Sequence, residues 1–182
     1  MNSGVWTRLR PAAAVLAVVV FVPLLASGGA VAGGSSRLTL TTLELSTIDS
    51  INALRVANDV EPLRISPALF GSATLHCEQM VEGGYFAHTN PDGSGFGSRL
   101  ANFYPQGSHR FYSVAENLLW TRYPISGQAM VAKWMTSPEH RANLLNPSWR
   151  QIAVATLSVP SAPGVFDDEP VTVVTVDFGV RR

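Results

Sequence analysis

The chain has 182 residues, 13 of them basic and 13 acidic, with 46% hydrophobic residues and one cysteine. No clustered basic excess is present, which excludes the electrostatic footprint of a nucleic-acid or anionic-membrane binder. A single cysteine excludes a disulfide within the chain, so stability has to come from packing.

The first 32 residues read as a secretory signal: Arg8 and Arg10 form a positive start, Ala12 to Leu25 an apolar run, and Ala30-Val31-Ala32 a small-residue cleavage site. The run is shorter than the roughly 20 residues of a spanning helix, so a cleaved signal is favoured over a retained single-pass anchor, and no integral span is expected after cleavage. About 150 residues then remain, enough for one domain with a real core. Residues 33–41 read as a flexible leader and 42–182 as the domain.

From Thr42 to about Ala57, Leu45, Ile48, Ile51 and Leu54 recur at three- and four-residue steps, which predicts an amphipathic helix. Pro62 prevents its continuation. Ser66-Pro67 starts a second helix, running to about Glu82 with Gly83-Gly84 as its stop. Phe70, Ala73, Cys77, Met80 and Val81 share one face of it, so Cys77 reads as a small buried hydrophobe and His76, bordering that face, as a rim histidine without a ligand role.

His88 stands at the mouth of a turn-rich loop, Thr89 to Gly97, where functional side chains often sit. Ser98 to Phe103 suits a short helix, and His109 belongs to an exposed loop. Phe111 to Trp120 shows no clean period, yet it carries Glu116 inside an apolar run, which is costly unless the acid is paired. Ser126 to Met135 is again helical.

The stretch Trp134 to Trp149 ends that helix and starts another: Ser137 is a suitable N-cap, Pro138 suits the first helical position, and His140 falls in the first turn. Leu144 and Leu145 turn toward a core, and Asn146-Pro147 stops the helix. Beyond Pro147 the period drops to two. Gln151 to Val159 and Val171 to Val180 read as two antiparallel strands covered on both faces. Helices before such strands define an α+β class with three layers.

The chemistry-bearing candidates are His88, Glu116, His140 and Glu139. There is no zinc-protease helix motif, no nucleophile elbow, no phosphate loop and no dinucleotide turn. Two neutral imidazoles can bind zinc or a similar divalent ion, and a nearby carboxylate can orient an imidazole or accept a proton. The spacing of His88, Glu116 and His140 leaves open whether they meet.

The ordered pieces Asn52-x-x-Arg55, Pro62-Leu63, Phe86-Ala87-His88, Arg99, Ala115-Glu116-Asn117, Trp134-x-x-Ser137-Pro138-Glu139-His140-Arg141-x-Asn143-Leu144-Leu145 and Ile152-Ala153-Val154 resemble the CAP superfamily. That superfamily, also called SCP, comprises cysteine-rich secretory proteins, antigen 5 and pathogenesis-related 1 proteins, and the likeness is to its short bacterial, disulfide-free branch. The resemblance covers about Leu43 to Val180. It implies an α-β-α sandwich around a central antiparallel sheet, with an open cleft lined by two histidines and two acids. Carried over by position, His88 and His140 are the histidines and the expected metal pair, and Glu116 is one acid. Glu139 is the only acid near the fourth position, but adjacent helical residues point about 100° apart, so it and His140 should not face one cleft together. Ala115 and Glu139 stand where the family usually has glycine.

Three functions fit these residues. One is a secreted or cell-envelope binding module that holds a small apolar or amphiphilic ligand or an envelope component, with a divalent metal such as zinc as an optional occupant of the histidine pair. Another is a metal-dependent hydrolase of peptide or cell-wall substrates, with Glu116 as general base. The last is a scaffold with a vestigial cleft.

Overall fold

The computed structural model describes residues 38–182. The expected signal, 1–32, and the first part of the expected leader lie outside the described residues. Helix α1 (Thr42–Val56) opens on a capping box: the Thr41 hydroxyl accepts from Glu44 N–H, and the Glu44 carboxylate accepts from Thr41 N–H at 2.8 Å. The other Glu44 oxygen accepts from Thr156 N–H at 2.8 Å, so this buried acid also ties the helix to the sheet.

A two-residue strand, β1 (Arg64–Ile65), leads into α2 (Pro67–Gly83), capped by Ser66 and ended by Gly84 in the left-handed region at φ 63°. Helix α3 (Phe96–Phe103), strand β2 (Tyr112–Thr121), helices α4 (Gly127–Met135) and α5 (Pro138–Leu145), and strands β3 (Gln151–Ala162) and β4 (Glu169–Arg181) complete the order. One 3-10 turn, Gly164–Phe166, interrupts the return between β3 and β4.

The sheet runs β1-β3-β4-β2, with β3-β4 and β4-β2 antiparallel. It is mixed rather than purely antiparallel, because β1 pairs parallel to β3 through Arg64↔Gln151 and Ile65↔Ile152. Helices α1, α4 and α5 pack together, as do α2 and α3, and each group also lies against the sheet, as the α+β three-layer reading requires.

Alternation along the strands assigns the two cores. Ile152, Val154, Val174, Val176, Phe178 and Val180 join Ile48, Ile51, Met130 and Trp134 in one cluster. On the other face, Ala155, Val171, Val173 and Leu118 pack on Ala73, Cys77 and Met80 of α2, while Ala153 meets Leu69 and Leu100. Burying each large aliphatic or aromatic side chain contributes roughly 1.5–3 kcal/mol. Close approach of α1 and α4 depends on Gly127, where an added Cβ would stand 2.5 Å from Thr47 N.

Strand β2 departs most from the sequence reading. Its centre, Ala115 to Leu119, is buried on both faces, and the Glu-Asn pair within it breaks the two-residue alternation that would have marked a strand.

Candidate functional site at the edge of β2

Side chains of successive strand residues point to opposite faces, so Glu116 and Asn117 address different helical layers. Strand β2 is the last of the sheet, which leaves its outer edge free for groups arriving from both layers.

On the α2–α3 side, Glu116 is buried and both its oxygens are engaged. Oε1 accepts from His88 Nδ1 at 2.8 Å, and Oε2 accepts from the buried Arg99 guanidinium, which also donates to Asn90 Oδ1. A carboxylate only accepts, so this bond places the neutral His88 proton on Nδ1 and leaves the Nε2 lone pair free. The His88 side chain is 50% exposed and its ring packs 6.1 Å from that of Phe96. The loop carrying it is closed by its own hydrogen bonds, Asn90 N–H to Ser94 O at 2.8 Å and Gly93 N–H to Asn90 O at 2.9 Å.

On the α5 side, Asn117 Nδ2 donates to His140 O at 3.1 Å, and Asn143 Nδ2 donates to Asn117 Oδ1 at 2.8 Å and to Glu116 O at 3.3 Å. The far end of α5 is held by buried Arg55, whose Nη1 donates to Leu144 O at 2.7 Å and to Asn146 O at 3.2 Å. Helix α5 is thereby tied to β2 through His140 and Asn143 and to α1 through Arg55. Ser137 occupies the N-cap position, but its hydroxyl makes no cap bond. The start is braced instead by Pro138 and by Ser137 N–H donating to Trp134 O at 3.1 Å.

His140 is half-buried, and its pKa is lowered first by burial and then by the charge of His88, with Glu139 opposing. Glu139 is exposed, one helical step from His140.

Two further groups join the cluster. His76 is not on a rim: it is fully buried, with Nε2 2.9 Å from Ala87 O and 3.9 Å from Glu116 Oε1. The buried face of α2 is broad enough to include Ser72 and His76 beside Ala73, Cys77 and Met80. Burial is the largest cause lowering the His76 pKa. Asp177, wholly buried on β4 directly opposite Glu116, had no signal in the sequence beyond being an acid in an apolar strand. Arg99 was visible as a piece of the family pattern, without a role. Cys77 is buried and free, its thiol pushed up to about 12 chiefly by burial, which makes it inert packing.

Among the described residues no group of three or more His, Cys, Asp or Glu side chains could hold a metal ion. A separate groove of about 710 Å³ opens between the start of α1, the β2–α4 connection and the β3–β4 return, with Leu43, Tyr123, Ile125, Val159 and Pro160 in its walls.

A family model described as the cysteine-rich secretory protein family, CAP, matches residues 48–178. Two relatives from Bacillus subtilis (strain 168) are similar in sequence. The uncharacterized protein YkwD is 28% identical over 121 residues, covering 66% of this chain and 44% of that protein. The uncharacterized membrane protein YlbC is 29% identical over 114 residues, covering 63% and 31%. The chain thus spans less than half the length of either relative.

Among solved structures, an extracellular protein containing an SCP domain from Bacillus anthracis str. Ames superposes with a TM-score of 0.58 at 23% identity, over 80% of this chain and 45% of that one. An outer surface protein from Borrelia burgdorferi gives 0.57 at 23% identity, over 74% and 90%. These two likenesses bear on the fold. With the family model spanning most of the described domain, and the Glu-Asn edge, the loop histidine and the α5 histidine in the family order, the chain belongs to the CAP family.

Proposed function

We propose that this CAP domain is an exported binding module whose site is the free edge of β2, where His88 and His140 receive a polar or metal-bearing part of a small amphiphilic ligand or cell-envelope component. The observation that carries this reading is the 2.8 Å bond from His88 Nδ1 to buried Glu116, which orients the ring and leaves Nε2 free on a half-exposed side chain. A carboxylate behind an imidazole in this way raises the basicity of the ring toward a metal ion.

In this reading His88 and His140 would hold a divalent ion such as zinc, with solvent or ligand completing its shell. Catalytic zinc ordinarily has three protein ligands. Two suit a weakly held, exchangeable ion better, which favours binding over metal-dependent hydrolysis. Export rests on the signal pattern in residues 1–32. It is supported by the similar structures, one an extracellular protein and one an outer surface protein, and no helix among the described residues is long and apolar enough to cross a membrane.

The test is a binding panel of lipids, sterols and cell-wall fragments, with and without zinc. Saturable binding that weakens in His140→Ala supports the proposal. Absence of saturable binding to every member removes its main content.

A further inference from the structure

Behind the imidazoles Glu116 is paired with a second buried acid, Asp177, that the proposed binding role does not use. Glu116 and Asp177 are directly opposed in the β2-β4 ladder, so their side chains project from the same face. Opposed residues in such a ladder have Cβ atoms about 4.5–5.5 Å apart, close enough for their carboxyl groups to meet. Both side chains are buried.

We propose that Asp177 is a neutral carboxylic acid whose proton is donated to Glu116, making it a positioning residue that holds Glu116, and through it His88, in place. This rests on the proposed role of His88, but the pair itself does not.

The charge balance favours such an arrangement. The groups around the Glu116–Asp177 pair are Ser72, His76 and Cys77 from α2, His88 from the loop after α2, Arg99 from α3 and Tyr112 from β2, with apolar Ala153 paired to Asp177 on β3. His76 is neutral because burial lowers its pKa, Cys77 keeps its proton, and His88 is half-exposed and bonds only Glu116, so Arg99 is the one permanent cation buried with the pair. Two carboxylates against one guanidinium would bury an uncompensated negative charge, which is expensive without water. One shared proton leaves one negative charge against one positive.

Hydrogen bonding leads to the same assignment. Both Asp177 oxygens lack a donor, and Ser72, although near, does not complete a hydrogen bond. An ionised Asp177 would have two unsatisfied acceptors in the interior, whereas the acid form converts one of them into a donor. Glu116 already accepts from His88 and Arg99, and each of its oxygens has capacity for a second bond. Burial first, and then the facing Glu116, raise the Asp177 pKa well above the ordinary carboxylate value.

The resulting pH dependence has a definite sign. A carboxyl group with a raised folded-state pKa favours folding most below its unfolded value, ~3.9, and that advantage is lost as pH rises toward the folded value. Asp177→Asn has no proton to keep, yet its amide can donate to Glu116 in the same way. Its Tm relative to the parent chain should therefore climb as pH is raised from about 4 to about 8.

The experiment uses the whole protein and three arms. Infrared spectroscopy at neutral pH should show the carbonyl stretch of a protonated acid, lost in Asp177→Asn. Tm for Asp177→Asn minus Tm for the parent should grow with pH. Zinc affinity should stay within about twofold in Asp177→Asn and fall about tenfold in Asp177→Ala, the scale of loss when a group supporting a metal ligand is removed.

Absence of the protonated-acid band from the parent, or its persistence in folded Asp177→Asn, would overturn the assignment. A flat or falling Tm difference would overturn it as well. If zinc binds no form of the protein, the metal reading of His88 fails, while the infrared and pH arms still decide the state of Asp177.

Discussion

The two faces of the sheet treat buried polar groups in opposite ways. On the α1–α4–α5 face, each of three polar side chains that enter the core closes onto main chain, with only Arg55 Nη2 left without a partner among them: Glu44 onto Thr156, Arg55 onto Leu144 and Asn146, Asn117 onto His140. On the α2–α3 face, Ser72 Oγ, His76 Nδ1, Arg99 Nε and both Asp177 oxygens have no hydrogen-bond partner, and they surround the one carboxylate that reaches an exposed imidazole. The first face uses polarity to clamp elements together. The second stores it under a binding edge, where perturbed and incompletely paired groups are typical of functional sites.

The sharpest way to break this contrast is to damage each face and compare stability with binding. Trp134→Ala, on the clamping face, removes a fully buried ring whose Nε1 donates to Leu118 O at 2.9 Å. It should cost about 3–5 kcal/mol in denaturant unfolding, while folded molecules keep the zinc affinity of the parent. Gly127→Ala should cost about 1–3 kcal/mol through the clash between α4 and the α1 backbone, again without a binding phenotype.

Glu116→Gln reverses the pattern. It weakens the charge-assisted bonds to Arg99 and His88, and calorimetry should read a loss of zinc affinity of about 10–100-fold.

The smallest effect separates His76 from Asp177 by pH. His76 has a lowered folded-state pKa, so its contribution to stability is present above the unfolded value of ~6.5 and is lost as pH falls below it. Thermal melts of His76→Gln should consequently show a shallower loss of stability on acidification than the parent, opposite in sense to the Asp177→Asn series.

Much of the clamping face could be read in the sequence because its signals are local. The Ser137-Pro138 start, the α1 periodicity and the alternating Gln151 to Val159 strand each depend on neighbours a few residues away, and the observed elements begin and end close to those expectations. The other face was less legible. Strand β2 hid its period behind Glu116 and Asn117, which are tolerated there only because Arg99, His88 and α5 arrive from distant parts of the chain.

His76 looked peripheral because a helix stripe read alone does not show how much of α2 the sheet covers. Asp177 required the register of β4 against β2, and the family pattern carried Arg99 without disclosing that it is the counter-ion of Glu116. Position by position, that pattern singled out His88, Glu116 and His140; His88 bonds Glu116, His140 meets β2 through its backbone carbonyl, and Glu139 is exposed.

The central claim is that His88, oriented by Glu116 and accompanied by His140, forms one site. A zinc titration of the purified protein, followed by calorimetry and set beside His88→Ala, tests it most directly. The account predicts one saturable ion in the parent and none in His88→Ala, at equal folded stability. Equal heats in the two proteins, or no heat in either, would contradict it.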